Sequence, residues 1–334
     1  MSSAFPLLCL PENALELVIE CMDYVDIVGF SLVSHKTKEI VRSLYLDIGR
    51  LVLTVNDIIR IRSDPDRDGP SSMVWSFYPE EDNAGPVPIP VYMPARVTGM
   101  RDLITHRNFV EYQNPCLSIQ EWVEHFQYLF SIEEIDYISF ANETCKFDWT
   151  SLKYALGKFN INTLFFHNFC GLDCAQKALK QFSSVTSVTA FSPSFNDPSH
   201  YSNILIQNLD TLSLGHENMA LKIGLDDLLL MNSKAMSIQS PTLTDKMLNQ
   251  FFKHWIKGSN PRMDVAHFAF VNDQVVNKEI ILKDLHCQEV PLDDVRDDVE
   301  VTEKYNIMRK GGSVGTITIQ QTDEGYDVFF QQVQ

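Results

Sequence analysis

The chain has 334 residues, 45% hydrophobic and 21% charged, which is enough apolar content for a real core and argues against wholesale disorder. Its 44 Asp and Glu against 27 Lys and Arg give a net charge of -17, which repels phosphate backbones and anionic membrane surfaces. The most basic stretch, Lys253 to Arg262, holds three cations, so neither nucleic acid nor membrane is expected as a partner.

The N-terminus lacks a basic start, and Glu12 and Glu16 interrupt its apolar residues, so no secretory signal is expected. No run approaches the ~18 apolar residues of a membrane span. The seven cysteines are an odd number without paired spacing. Cys170 and Cys174 have no second ligand pair nearby, so no metal is expected. Reduced thiols point to the cytosol or nucleus, where the sequon Asn142-Glu143-Thr144 stays unmodified.

Residues 5–46 predict a helical trio. Ala14, Leu15, Val18, Ile19 and Met22 share one helix face behind Leu10-Pro11, and Pro11 suits a first turn. A second helix is expected after Asp26, with Ile27, Phe30 and Val33 on one side, and a third over Lys36–Leu44. About forty residues is near the lower limit for an independent core, so the trio needs a partner surface. Residues 47–118 read as a connector. Seven of the fifteen prolines lie between Pro65 and Pro94, where each removes a donor and extends its predecessor.

From residue 119 onward a repeat emerges. The template L-x-x-L-x-L recurs at Ile135-Ile138-Phe140, Ile161-Leu164-Phe166, Val185-Val188-Ala190, Leu209-Leu212-Leu214, Ala235-Ile238-Ser240 and Val265-Phe268-Phe270, with starts 24 to 30 residues apart. Helix-like segments precede most strands: Trp122 to Phe130, Leu152 to Phe159 behind Asp148, Ala175 to Phe182, Leu225 to Leu229, and Met247 to Trp255 ending at Gly258. A strand and a helix at this period predict a degenerate leucine-rich-repeat-like α/β solenoid. An ordinary α/β domain with alternating elements would look similar. Asn142 stands seven residues after the first start, and Cys170, Ser194, Asn218 and Thr244 stand nine after the next four, a weak polar ladder. The acidic run PLDDVRDDVE from Pro291 reads as a solvated loop. Thr316–Gln320 and Tyr326–Phe330, joined through Thr322-Asp323-Glu324-Gly325, read as a β-hairpin that caps the last repeat.

Catalytic motifs are weak. Gly311-Gly312-Ser313-Val314-Gly315 matches G-x-S-x-G, but an alternating strand follows the serine where an elbow needs a helix. The nine histidines form no H-E-x-x-H, and Asp293, Asp294, Asp297 and Asp298 lack the spacing of a calcium loop. No cofactor motif is present.

The N-terminal segment FPLLCLPENALELVIECMDYVDIVGFSLVSHKTKEIV resembles an F-box. It has Leu10-Pro11, two apolar pairs, Asp26-Ile27 and the Phe30-Ser31-Leu32-Val33-Ser34 stretch, with Thr37 standing where the family has tryptophan. FFKHWIKGSNPR (251–262) and LDDLLLMNSKAMSIQSPTLTD are similar to the type 2 F-box-associated domain of nematode-type F-box families. The resemblance implies a non-catalytic substrate receptor of a Skp–cullin–F-box ubiquitin ligase. Its all-α F-box would dock a Skp-type adaptor, and through it cullin, while residues 119–334 would bind an unknown protein substrate.

An unstable helical trio would offer its apolar residues to that adaptor. Leu10, Pro11, Leu15, Ile19, Met22, Ile27, Phe30 and Val33 are the candidates, and some of them must instead close the trio's own core. In the repeats, residues between the apolar strand positions are expected to face the target: Tyr137, Ser139, Thr163, Phe165, Thr189, Thr211, Ser213, Gln239 and His267, with Phe165 the main anchor. Two other readings stand beside this one: a repeat scaffold without a ligase, its helices packed on the repeats, and a serine hydrolase using Ser313.

Overall fold

The computed structural model describes residues 7–64, 73–79, 90–91, 93–101, 109–191, 193–195, 197–216, 221–270, 274–291, 301–322 and 325–333. The chain is a mixed α/β protein with helices at its N-terminus and two compact units, residues 1–162 with 177–183, and residues 163–176 with 184–334.

The first unit opens with α1 (Glu12–Glu20), α2 (Tyr24–Ser31) and α3 (His35–Ser43). Pro11 stands at the N-cap of α1. The cap of α2 is Asp23, whose carboxylate accepts from Val25 N at 3.2 Å, so α2 starts ahead of Asp26. Ser34 and Thr37 form a reciprocal capping box that starts α3. Thr37 is fully buried, and its hydroxyl also donates to Ser34 O at 2.8 Å. A hydroxyl engaged in that turn therefore occupies the family's tryptophan position.

Residues 47–118, read as a connector, carry β1 (Arg50–Val55), β2 (Ile59–Asp64), β3 (Val74–Tyr78), β4 (Arg96–Met100) and β5 (Val110–Gln113), antiparallel in sequence order. After α4 (Ile119–Phe130), β6 (Glu134–Phe140) adds to the other side of β1 in parallel. Leu51, Val52 and Leu53 are all buried, so β1 reads as a continuous apolar run rather than an alternation. Most of 65–94 and the acidic run 292–300 lie outside the described residues, as do Asn218 and the turn residues Asp323 and Glu324. Helix α5 (Trp149–Leu156) is capped by Asp148, which accepts from Ser151 N at 2.7 Å.

Next come β7 (Asn160–Phe166) and α6 (Leu172–Gln181), then β8 (Ser187–Ala190), α7 (Pro198–Leu205), β9 (Thr211–Leu214), α8 (Leu225–Leu230), β10 (Ala235–Gln239), α9 (Asp245–Lys257) and β11 (Val265–Ala269). Within the second unit the described parts of β7 to β11 pair in parallel, in order. The chain closes with α10 (Lys278–Ile281), β12 (Gln288–Val290), β13 (Val301–Met308), β14 (Val314–Thr322) and β15 (Gly325–Val333). The hairpin β14–β15 forms as expected, and β15 pairs antiparallel with β11.

Inward residues fall in two cross-strand rows. Leu164, Val188, Leu212, Met236, Ala266 and Phe330 form one; Phe166, Ala190, Leu214, Ile238, Phe268 and Val328 form the other, and all twelve are buried. Phe251 and Phe252 of α9 meet Phe268 at 5.5 and 6.3 Å, and Trp255 meets Phe330 at 4.7 Å, closing this core. Ser240 belongs to the same face, and its buried hydroxyl donates to Leu221 O at 2.6 Å. The motif around Gly258 is structural. Gly258 ends α9 at φ 114, and the Asn260 side chain donates to Leu228 O and Met231 O at 2.9 Å each.

Candidate adaptor-docking and target-facing surfaces

The helical trio divides its apolar residues between inside and outside. Leu15, Ile19 and Ile27, expected as docking candidates, are buried with Val25, Val28 and Val41; Ile19 is 0% exposed. These three close the local core and are unavailable to a partner. Leu10, Met22 and Phe30 are half-buried, and Pro11 is exposed. Val33 is 71% exposed and Leu17 63%, with Leu8 and Val18 exposed as well. Leu17 was not legible as a candidate because it sits off the apolar stripe that defines α1.

The trio is part of the first unit's core rather than an appendage. Tyr24 of α2 meets Phe130 of α4 at 6.3 Å; α4 then carries Phe126 and Trp122, which pack on Trp75 of β3 at 5.7 and 5.3 Å. Gly29 sits where a Cβ would come within 2.7 Å of the Tyr112 hydroxyl, so a side chain there would push the Tyr112 ring of β5 aside. Burial and the nearby Asp26 raise the Tyr112 pKa. Tyr128 of α4 bonds Glu39 at 2.6 Å and lies under the cations of Lys38 and Arg42 at 4.4 and 4.2 Å. Asp23 pairs with Arg101 at 3.1 Å.

Tyr137 and Ser139 lie on β6 in the first unit. Arg62 Nη2 donates to the Tyr137 hydroxyl at 2.8 Å. Ser139 is buried, 1% exposed, and bonds Thr54 Oγ1 at 2.9 Å across the parallel pair, so it offers a target nothing.

The other seven positions share one face of the second unit, opposite the inward rows. Register links Phe165, Thr189, Ser213, Ser237, His267, Phe329, Thr318, Lys304 and Val290 into a single row across nine strands. Thr163 and Thr211 lie in the row on one side and Gln239 in the row on the other; all seven are half-buried. Phe165 meets Phe191 edge-on at 5.2 Å and His167 at 4.5 Å.

At the centre of the row, His267 stacks flat on Phe329, with centroids 4.4 Å apart and planes at 4°. Its ring nitrogens stand 3.2 Å from Ser237 Oγ and 2.9 Å from Asp327 Oδ1. Ser237, Asp327 and Phe329 were not legible from sequence, because only strand register brings them beside His267. Ser313 lies in the turn between β13 and β14, where Arg309 N donates to Ser313 O at 2.8 Å and Gly311 and Gly312 take φ of 122 and 96. No helix follows it, so the elbow geometry is absent.

Cys170 and Cys174 are both buried. Among the described residues, no three His, Cys, Asp or Glu side chains converge on a metal position. Of the expected polar ladder, Ser194 donates to Cys170 O at 2.8 Å, Thr244 caps α9, and Asn142 bonds Asp57 at 3.1 Å. No helix among the described residues is long and apolar enough to cross a membrane.

Comparison with known proteins agrees with this division. Residues 7–49 match the F-box domain family, and residues 200–268, from α7 to β11, match the F-box associated family. The chain is 22% identical over 275 residues to the F-box associated domain-containing protein sdz-33 of Caenorhabditis elegans, covering 78% of this chain and 76% of that protein. No solved structure matches. The helical trio of the first unit is thus an F-box domain, and residues 200–268 of the second unit, which carry β9, β10 and β11, are F-box associated sequence of type 2.

Proposed function

We propose that the chain is a non-catalytic substrate receptor of a Skp–cullin–F-box ubiquitin ligase. F-box domains generally bind Skp-type adaptors, and cullin is reached through the adaptor. The observation that carries this reading is the F-box match on a helical trio whose core is closed by Leu15, Ile19 and Ile27 while Leu8, Leu17, Val18 and Val33 stay exposed. Apolar side chains in that position suit a helical partner. The parallel strand-and-helix series of the second unit supports a degenerate leucine-rich-repeat-like solenoid, with β14–β15 as its cap. The face bearing His267 and Phe329 is the target surface in this reading, because it is rich in hydroxyls, poor in charge and centred on two aromatic rings. The mechanism is proximity: a held target presents its lysines at high effective concentration to a ubiquitin-charged enzyme. The reading carries with it a cytosolic or nuclear site of action.

The test is co-purification of the full chain with adaptor and cullin, followed by affinity mass spectrometry with wild type and His267→Ala/Phe329→Ala. Recovery of adaptor by both, with proteins lost only from the double variant, supports both halves of the proposal. Absence of adaptor and cullin overturns it in favour of a scaffold. The packing of the trio on α4 and β5 of its own chain is the observation on the scaffold's side.

A further inference from the structure

We propose that a cleft of ≈ 440 Å³ beside α10, in the second unit, is a binding site for a basic side chain, lysine or arginine, of a protein partner. It lies between Val275–Glu279 and the sheet residues Glu303, Ile319 and Tyr326. Val276 and Ile319 supply an apolar wall of the kind that takes a methylene stem, and Tyr326 adds an aromatic ring.

The polar end is Glu303. Its side chain is 27% exposed, held by the Tyr305 hydroxyl at 2.8 Å and by Lys278 Nζ at 2.7 Å. A cation therefore already sits on this carboxylate. It comes from a helix of four residues, on a side chain 49% exposed, so an incoming ammonium or guanidinium can replace it without unfolding an element. The Lys278 bond is the main reason the Glu303 pKa is lowered, and it keeps the carboxylate in its charged form.

Charge favours the same occupant. Among the described residues lining the cleft, Lys278 is the one cation, against Glu279 and Glu303. A basic segment gains on approach, and an acidic one is repelled. This site is separate from the His267–Phe329 face, and it stands or falls independently of F-box docking.

The test titrates methyl-labelled full-length protein with Nα-acetyl-lysine methylamide, Nα-acetyl-arginine methylamide and the neutral norleucine analogue, following the Ile319 and Val276 methyl signals. The basic probes are expected to shift these signals saturably and norleucine is not. Glu303→Gln should weaken binding at least about five-fold. Lys278→Ala, which removes the internal competitor, should tighten it by about two- to five-fold. Equal binding of norleucine, or weaker binding by Lys278→Ala, overturns the proposal. Undiminished binding by Glu303→Gln overturns it as well. If Glu303→Gln lowers the melting temperature, Lys278→Ala decides alone.

Discussion

The Nε2 of His125 stands 2.8 Å from the Oγ of Ser31, joining α4 to α2 through two buried side chains. The Ser31 hydroxyl also lies 2.6 Å from Val28 O; donating there, it accepts from the imidazole carrying its proton on Nε2. Burial first, and Lys38 second, depress its pKa from 6.5 to about 4. The neutral ring belongs to the folded state.

The pH dependence follows from that. Between pH 6.5 and about 4 the unfolded chain binds a proton here that the folded chain refuses, so stability falls as pH is lowered through this window. At pH 5 the loss from this group should be about 2 kcal/mol relative to pH 7. Urea melts at the two pH values measure it. His125→Gln should remove most of the difference, and an unchanged difference would mean the group is solvated.

Docking and folding separate within the helical trio. Ile19→Asp buries a charge without a partner and should unfold the first unit. Leu17→Asp with Val33→Asp alters exposed positions and should leave the melting temperature within about 2 °C. This double variant should cut adaptor recovery at least ten-fold if the exposed side chains dock. Circular dichroism and co-purification of both variants distinguish the outcomes.

The F-box should not fold alone. A peptide of residues 7–49 lacks the α4 and β5 side chains that cover Tyr24 and Gly29, and it falls near the size where cores fail. Its circular dichroism at 25 °C is expected to be mostly that of a coil, with helix returning on addition of adaptor. A stable helical spectrum without adaptor would contradict the shared core.

Asn260 combines two roles that substitution can divide. It takes φ 49, and it satisfies two carbonyls at the end of α8. Asn260→Gly keeps the backbone and loses the bonds, costing about 1–3 kcal/mol. Asn260→Ala adds left-handed strain of about 1 kcal/mol more. Denaturant melts should rank wild type above Gly and Gly above Ala.

Sequence alone exposed the elements whose apolar spacing is strong. Helices α4, α5, α8 and α9 and the inward strand positions follow the expected pattern, because burial on one face leaves a periodic trace. The five strands within 47–118 were hidden. Leu51–Leu53 reads as an unbroken run, and the neighbouring prolines outweighed it. Helix α7 was hidden behind Pro198, which marks its first turn and which the Asp197 carboxylate helps start by accepting from Ser199 N at 2.9 Å. The surface was harder. Periodicity marked Leu15, Ile19 and Ile27 as apolar, which made them docking candidates, but it says nothing of which side chains remain outside once the trio closes. Likewise Asp327 is sixty residues from His267 and Phe329 two further on, and only the antiparallel return of β15 unites them.

The ring contacts that run from Tyr24 through α4 to Trp75 leave the amino-terminal helices no slack. Only residues 44–49 separate α3 from β1, and the aromatic contacts bypass even that short tether. Mechanical load on a docked adaptor would pass straight into the β1–β6 sheet, so a force ramp applied at the F-box should rupture both in a single step rather than peel off three helices first.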